Sequence, residues 1–351
     1  MDPHRAWLSP GRPGRIAGMV PLPYRVSRRR ALQGSAALLL VFGVLVWWLM
    51  SMRPSSPSGS IIFSTGVKNG VYQRYGALLK EDLARGMPNV SIRLRTSEGS
   101  QENITRVATG DADFTVATAD AVAKYIQDGR PGADRLRGCA RLYDDYVQLI
   151  TPKTSGIRST ADLKGKRVGV GQERSGVRLI ADRILTAAGI DPQTGITPVP
   201  AGIDTVPSLL ERDELDAFFW SGGLPTEAIR QLSERFAVRL VPLDAALITA
   251  LHSSDETALR YYRSAEMPAD AYPAAQEGTA VPTFAVANLL ITTDETGAAL
   301  TEGFTRRVID SRDGIGKQVH PAQLVDLRTA IYTDPLPLHE GAKHYYRSVK
   351  P

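Results

Sequence analysis

The chain has 351 residues, with 42 Lys and Arg against 37 Asp and Glu, and a single cysteine, Cys139. Its formal charge of +5 is uneven: residues 1–30 carry seven arginines against one acid, Asp2, a net of +6, so the remainder nets −1 and nothing marks it as a nucleic-acid binder. One cysteine excludes an intramolecular disulfide, and His4, His252, His320, His339 and His344 fall in no CxxC or HExxH spacing, so neither a metal nor a cofactor is expected.

The first element in chain order is residues 31–50, ALQGSAALLLVFGVLVWWLM, which contains no charged residue and follows Arg28, Arg29 and Arg30. At a rise of about 1.5 Å per residue this run can cross a hydrocarbon layer about 30 Å thick. The positive-inside bias predicts a cytoplasmic basic tail over 1–30, a single transmembrane helix over 31–50, and all that follows outside the membrane. Trp47 and Trp48 suit the outer interface. A cleaved signal peptide is the alternative, but its apolar region would span about 7–15 residues and end at a small-residue site. WWLMSMRP offers no such site, and no cysteine directly follows the run to carry a lipid anchor. Residues 27–32, SRRRAL, loosely resemble a twin-arginine export signal, although the orientation rule alone expects arginines there. Residues 51–60, containing RPSSPSGS, form a Pro/Ser linker between anchor and fold.

From Ile61 onward, short apolar runs alternate with helical patterns, which predicts α/β layers with a largely parallel sheet. IIFST is a strand, followed by a glycine turn and a helix over 71–85. VSIRLRT is a strand, with a helix around 103–109, and ADFTVA opens into a helix near Asp120. A second set begins at Val147 with VQLIT. Ser159 to Leu163 caps a short helix, KRVGVG is a strand, and 176–188 is a helix stopped at Gly189. TPVPAG and DAFFW are strands flanking a helix over 206–212. FAVANLLIT, 284–292, is a buried strand, and the chain from Glu295 is mostly helical, punctuated by Pro335 and Pro337. Two α/β lobes in one chain suggest a cleft between them.

Three glycine-containing turns follow predicted strands: Ser64-Thr65-Gly66, Thr96-Ser97-Glu98-Gly99-Ser100, and 171–176. In open α/β sheets ligands gather beyond the carboxyl ends of the strands, where free N–H groups at helix starts attract anions. Ser, Thr and Gly are also ordinary turn and N-cap residues, so the turns alone leave both readings open. GVGQERSG, 169–176, has a GxxxxG spacing, but Val177 and Arg178 stand where a P-loop needs Lys and Ser or Thr. As a dinucleotide fingerprint the same run is two residues too long. What survives is a helix start after Ser175-Gly176, suited to a carboxylate. In DAFFWSGGLPT, 216–226, Trp220 either walls a ligand or fills a lobe core. His339 lies near Asp334 and Glu340, but no GxSxG elbow accompanies it, so catalysis is not expected. Tyr345-Tyr346 beside His344 resembles a docking tail.

Together, STG-x4-VY, TSEGSQEN, TGDADFTVATAD, DLKGKRVGVGQERSGVR, ILTAAGI, DAFFWSGGLPTEAI, FAVANLLIT and PLPLHEGAKHYYR resemble the TAXI family of solute-binding receptors of TRAP (tripartite ATP-independent periplasmic) transporters. DAFFW-x-GG-x-P and PLPLHEGAKHYYR are the most specific of these. The resemblance covers about 61–347. It implies a two-lobed periplasmic-binding-protein-like fold of class II, with two hinge crossings, after the N-terminal transmembrane helix. Lobe 1 would hold 61–146 plus 286–351 and lobe 2 would hold 147–285. The implied protein is a monomeric, extracytoplasmic receptor, not an enzyme, tethered to the cell membrane by its own helix. It would capture a small organic acid or amino acid, glutamate-like or dicarboxylate, and hand it to a TRAP permease membrane subunit driven by an ion gradient. A tethered sensor that docks on a signalling membrane protein is the alternative. By motif position, Ser64, Thr65, Gly66 and Tyr72 form a first cradle, and Ser97, Gly99, Ser100 and Asn103 a second. Ser175, Gly176 and Val177 would present N–H groups to a carboxylate, and Trp220, Gly222, Gly223 and Pro225 an opposing wall. The family's Gln-Ser before an Asp is here Thr118-Ala119-Asp120, which implies a polar contact either lost or shortened at Thr118. Lys68 in the first turn adds a cation suited to a second acidic group.

Overall fold

The computed structural model describes residues 28–51, 57–253 and 260–349; the basic tail over 1–27 and residues 52–56 of the linker lie outside them. The chain divides into two units, 1–55 and 56–351. Among its described residues the first contains one helix, α1 (Arg28–Ser51), in which Leu38, Leu39 and Trp47 are 70–72 % exposed. Among the described residues no helix is long and apolar enough to cross a membrane.

Among the described residues the second unit has ten strands: β1 (Gly59–Ser64), β2 (Val90–Arg95), β3 (Phe114–Thr118), β4 (Leu136–Pro152), β5 (Arg167–Gly169), β6 (Thr197–Val199), β7 (Ala217–Gly222), β8 (Val238–Val241), β9 (Tyr262–Met267) and β10 (Val281–Thr293). They hydrogen-bond in the order β2-β1-β3-β10-β4-β7-β5-β6, with β8 on β4 and β9 on β10. The expected largely parallel sheet is corrected to a mixed one. β1 with β2 and β3, and β5 with β6 and β7, are parallel, whereas every pairing of β4 and β10 is antiparallel. The reason is that β4 and β10 are long strands running through the middle. β4 spans 17 residues and does not begin at Val147.

These two strands join two α/β lobes. One hydrophobic core draws its residues from 147–286, and the others draw theirs from 61–143 and 289–346. Local sequence explains the layers. After β1 buries Ile61 and Phe63, helix α2 (Val71–Gly86) turns Tyr75, Leu79 and Leu83, spaced by four, onto the same core. Phe114 stacks on Phe304 with ring centroids 4.2 Å apart. Tyr345 and Tyr346 are not a docking tail: both are buried here, and the Tyr346 hydroxyl donates to the Cys139 carbonyl at 3.0 Å. His339 is likewise structural, its Nε2 bonded to the Thr296 carbonyl and its Nδ1 accepting from Gly341 N–H. Burial holds its pKa below the usual imidazole value.

Candidate functional site

The turns singled out in the sequence meet where the lobes face each other. Helices α3 (Ser100–Ala108) and α4 (Ala119–Gln127) start in one lobe, and α5 (Gly176–Ala187) starts in the other. Between them lies a cavity whose wall includes Gly66, Tyr72, Gly99, Ser100, Thr118, Ser175, Gly176, Val177 and Trp220. About 50 Å³ of it is open to the centres of water-sized molecules, which at roughly 10–15 Å³ per water suits a small solute.

Seven other predicted residues do not line this space. Ser64, Thr65, Ser97 and Asn103 sit beneath it as a buried brace. The Ser64 hydroxyl donates to Asn103 Oδ1 at 2.7 Å, and the Asn103 amide donates to the carbonyls of Thr65 (2.7 Å) and Val116 (3.0 Å). Ser97 Oγ also donates to the Thr65 carbonyl, so these polar groups are engaged with one another and with the backbone. Gly222, Gly223 and Pro225 follow Trp220 in the chain, outside the wall, and space is tight at both glycines. A Cβ on Gly222 would lie 2.4 Å from the indole nitrogen, and one on Gly223 would lie 1.8 Å from Pro321 Cγ. The Leu224-Pro225 bond is cis, and it precedes Thr226, whose hydroxyl accepts the Trp220 Nε1–H at 3.0 Å. Lys68 is exposed at the tip of its turn and is not part of the wall.

The wall is rich in donors. Ser175 Oγ accepts from Arg178 N–H at 3.0 Å and so caps α5. First-turn N–H groups have no partner within their own helix, and those of Gly176 and Val177 belong to residues lining the cavity. The Tyr72 hydroxyl donates to Asn288 Oδ1 and lies 3.2 Å from Ser100 Oγ, which in turn accepts from Thr118 N–H at 3.2 Å. Sequence reading missed Val67, Gly70, Glu98, Gln172, Ser221 and Asp145, all of which line the same space. Glu98 and Gln172 lie inside turns already singled out, and Val67 and Gly70 follow the first of them. Asp145 left a fainter signal, as an acid between the apolar runs of β4. It is 3 % exposed, and its Oδ1 makes no hydrogen bond. Burial raises its pKa to about 7, helped by the charges of Asp144 and Asp120. The Asn288 amide opposes the rise without reaching hydrogen-bond geometry. Ser221 Oγ is also buried without a partner.

The lobes touch around this cavity. At the rim, Arg174 pairs with Glu98 (3.0 Å) and Glu102 (3.3 Å), and the Gln101 amide donates to the Ser175 carbonyl at 2.7 Å. The Arg174 hydrogen bond holds the Glu98 carboxyl below its usual pKa, but Arg174 is 60 % exposed, so this pair contributes little stability. Gly99 has a φ of 138°, and a Cβ there would stand 3.2 Å from Ser175 Cα, so the close approach of the two turns requires glycine. Deeper in, Asp120 on α4 accepts from Arg183 on α5 at 2.9 Å and from the Tyr262 hydroxyl on β9 at 2.8 Å.

A family model described as NMT1-like matches residues 63–349, nearly the whole second unit. The chain belongs to the NMT1-like family. Several solved structures are similar in outline. The periplasmic aliphatic sulphonate binding protein of Escherichia coli shares 14 % identity, with a TM-score of 0.45 over 84 % of each chain. A putative L-cystine ABC transporter protein of Listeria monocytogenes shares 14 % identity, with a TM-score of 0.47 over 76 % of this chain and 98 % of its own. A probable amino-acid ABC transporter extracellular-binding protein of Bacillus subtilis shares 12 % identity, with a TM-score of 0.45 over 77 % and 99 %.

Within this NMT1-like chain Trp220 belongs both to a lobe core and to the cavity wall. It is 9 % exposed, packs into the 147–286 core and also lines the cavity. Trp220→Ala is therefore expected to cost about 3–5 kcal/mol in urea unfolding of the unliganded protein. Trp220→Phe keeps the apolar wall but leaves the Thr226 hydroxyl without its donor, so it should cost nearer 1 kcal/mol. Equal costs for the two variants would contradict this packing.

Proposed function

We propose that this chain is a membrane-tethered, extracytoplasmic solute-binding receptor of the TAXI type. It closes its two lobes, 61–146 plus 286–351 and 147–285, over a small carboxylate and delivers it to a TRAP-type permease. The observation that carries this reading is the cavity between facing helix starts. It is lined by hydroxyls and first-turn N–H groups, with buried polar atoms left unpartnered at Asp145 and Ser221. Orphaned buried polar atoms cost about 1–3 kcal/mol each, a cost that a bound solute offsets. Among the described residues no Lys, Arg or His lines the cavity, so a carboxylate would be held by neutral donors and the start of α5. Thermal-shift screening of the full chain in detergent, followed by calorimetry, should find a small amino acid or organic acid that binds at micromolar affinity or tighter, about −8 kcal/mol. Selective binding of a sugar or a metal ion would overturn this reading.

The tether rests on the uncharged run of 31–50 after Arg28, Arg29 and Arg30 and on the exposed apolar side chains of 38–48 in α1. The protein should stay with membranes through a high-salt wash. A soluble form beginning near Ser51 would contradict an uncleaved anchor.

A further inference from the structure

We infer that Asp145 is the ammonium-binding residue of this cleft, so the captured solute is an amino acid and not an amine-free dicarboxylate. The inference rests on the solute-receptor reading above and narrows it. Asp145 lies on β4 where the strand passes between lobes, opposite Val286 of β10, and its side chain is buried against the cavity. Oδ1 has no hydrogen-bond partner, and among the described residues no cation pairs with this carboxylate.

The neighbouring acids differ. Asp144 is matched by Arg141 and Arg263, and Asp120 by Arg183. The groups that act electrostatically on or with Asp145 are Tyr72 from α2, Tyr143 and Asp144 from its own strand, Asp120 from α4 and Asn288 from β10; none of these is cationic. A buried carboxylate without a counter-charge is a costly arrangement unless a cation arrives with the ligand. Trp220 on the same wall adds an aromatic ring of the kind that attracts ammonium groups. The start of α5, with Gly176 and Val177, supplies the opposite end with partial positive charge for one carboxylate. A second carboxylate would find no cation on the wall and would face an acid. One carboxylate and one ammonium fit the lining, as an amino acid provides them.

The full chain in detergent should be screened by thermal shift and calorimetry. The panel pairs amino acids with their 2-oxo and 2-hydroxy counterparts and includes simple dicarboxylates. The amino acid of the best pair should bind at least tenfold tighter than its amine-free partner. Asp145→Asn should abolish most of that difference while the unliganded variant melts no lower than the wild-type protein. Amine-free acids binding the wild type as well as or better than amino acids would overturn the inference while leaving a receptor for small acids. Failure of every member of the panel to bind would overturn both readings. The paired-ligand comparison on wild type stands even if the variant folds poorly.

Discussion

Arg183→Met is expected to lower the unfolding free energy by about 3–5 kcal/mol, the usual cost of stripping one partner from a buried ion pair. Asp120 is fully buried and Arg183 is 7 % exposed, and the same Asp120 oxygen accepts from both Arg183 and Tyr262. Its other oxygen has no partner, so losing the guanidinium leaves a carboxylate with one phenolic donor in an apolar setting. Because Asp120 belongs to one lobe and Arg183 and Tyr262 to the other, the loss should also loosen their contact. The double variant Asp120→Asn/Arg183→Met should recover much of the deficit, because the uncompensated charge is then gone. A single-variant cost below about 1 kcal/mol, the range of solvent-exposed pairs, would mean that the pair is not buried in solution.

Asp145→Asn should stabilise the unliganded protein, but only toward neutral and alkaline pH. Its pKa rises from 3.8 to about 7 on folding, with burial as the main cause. Between those values the folded state keeps a proton that the unfolded chain has released, so stability from this group falls as pH rises through that window and levels off above it. At about 1.4 kcal/mol per unit, the penalty at pH 8 is on the order of a few kcal/mol. Asparagine does not titrate and escapes it. Melting both proteins at pH 4 and pH 8 should show a small gap at the lower pH and a clearly higher melting temperature for the variant at the upper. A gap independent of pH would place the Asp145 carboxyl in contact with water or a cation.

Where one residue pattern maps onto one element, the sequence was readable. The strand-turn-helix units at β1, β2, β3 and β5 declare themselves through short apolar runs, glycine turns and four-residue spacing such as Tyr75, Leu79 and Leu83. β4 was not legible as one strand. Gly138, Arg141, Asp144 and Asp145 interrupt its apolar pattern, and glycine and aspartate are poor strand formers in isolation. Only its pairing with β10 and β7 gives those residues a sheet to belong to, so a crossing near 146–147 was expected from the family resemblance alone and not from the strand's own residues. The site divided similarly. Turn residues could be found, but cavity-lining ones such as Ser100 and Thr118 were indistinguishable from those bonded within the protein, such as Ser64 to the Asn103 side chain and Ser97 to the Thr65 carbonyl. That distinction depends on partners brought together across 39 residues for Ser64 and Asn103, which local spacing does not encode.

The most direct test of a solute site between the lobes is a crystal structure of the protein with the best thermal-shift ligand. Density for the solute is expected within Ser100, Thr118, Gly176 and Trp220, its carboxylate at the start of α5 and its amine on Asp145. A ligand seated elsewhere, with this cavity filled only by water, would contradict it.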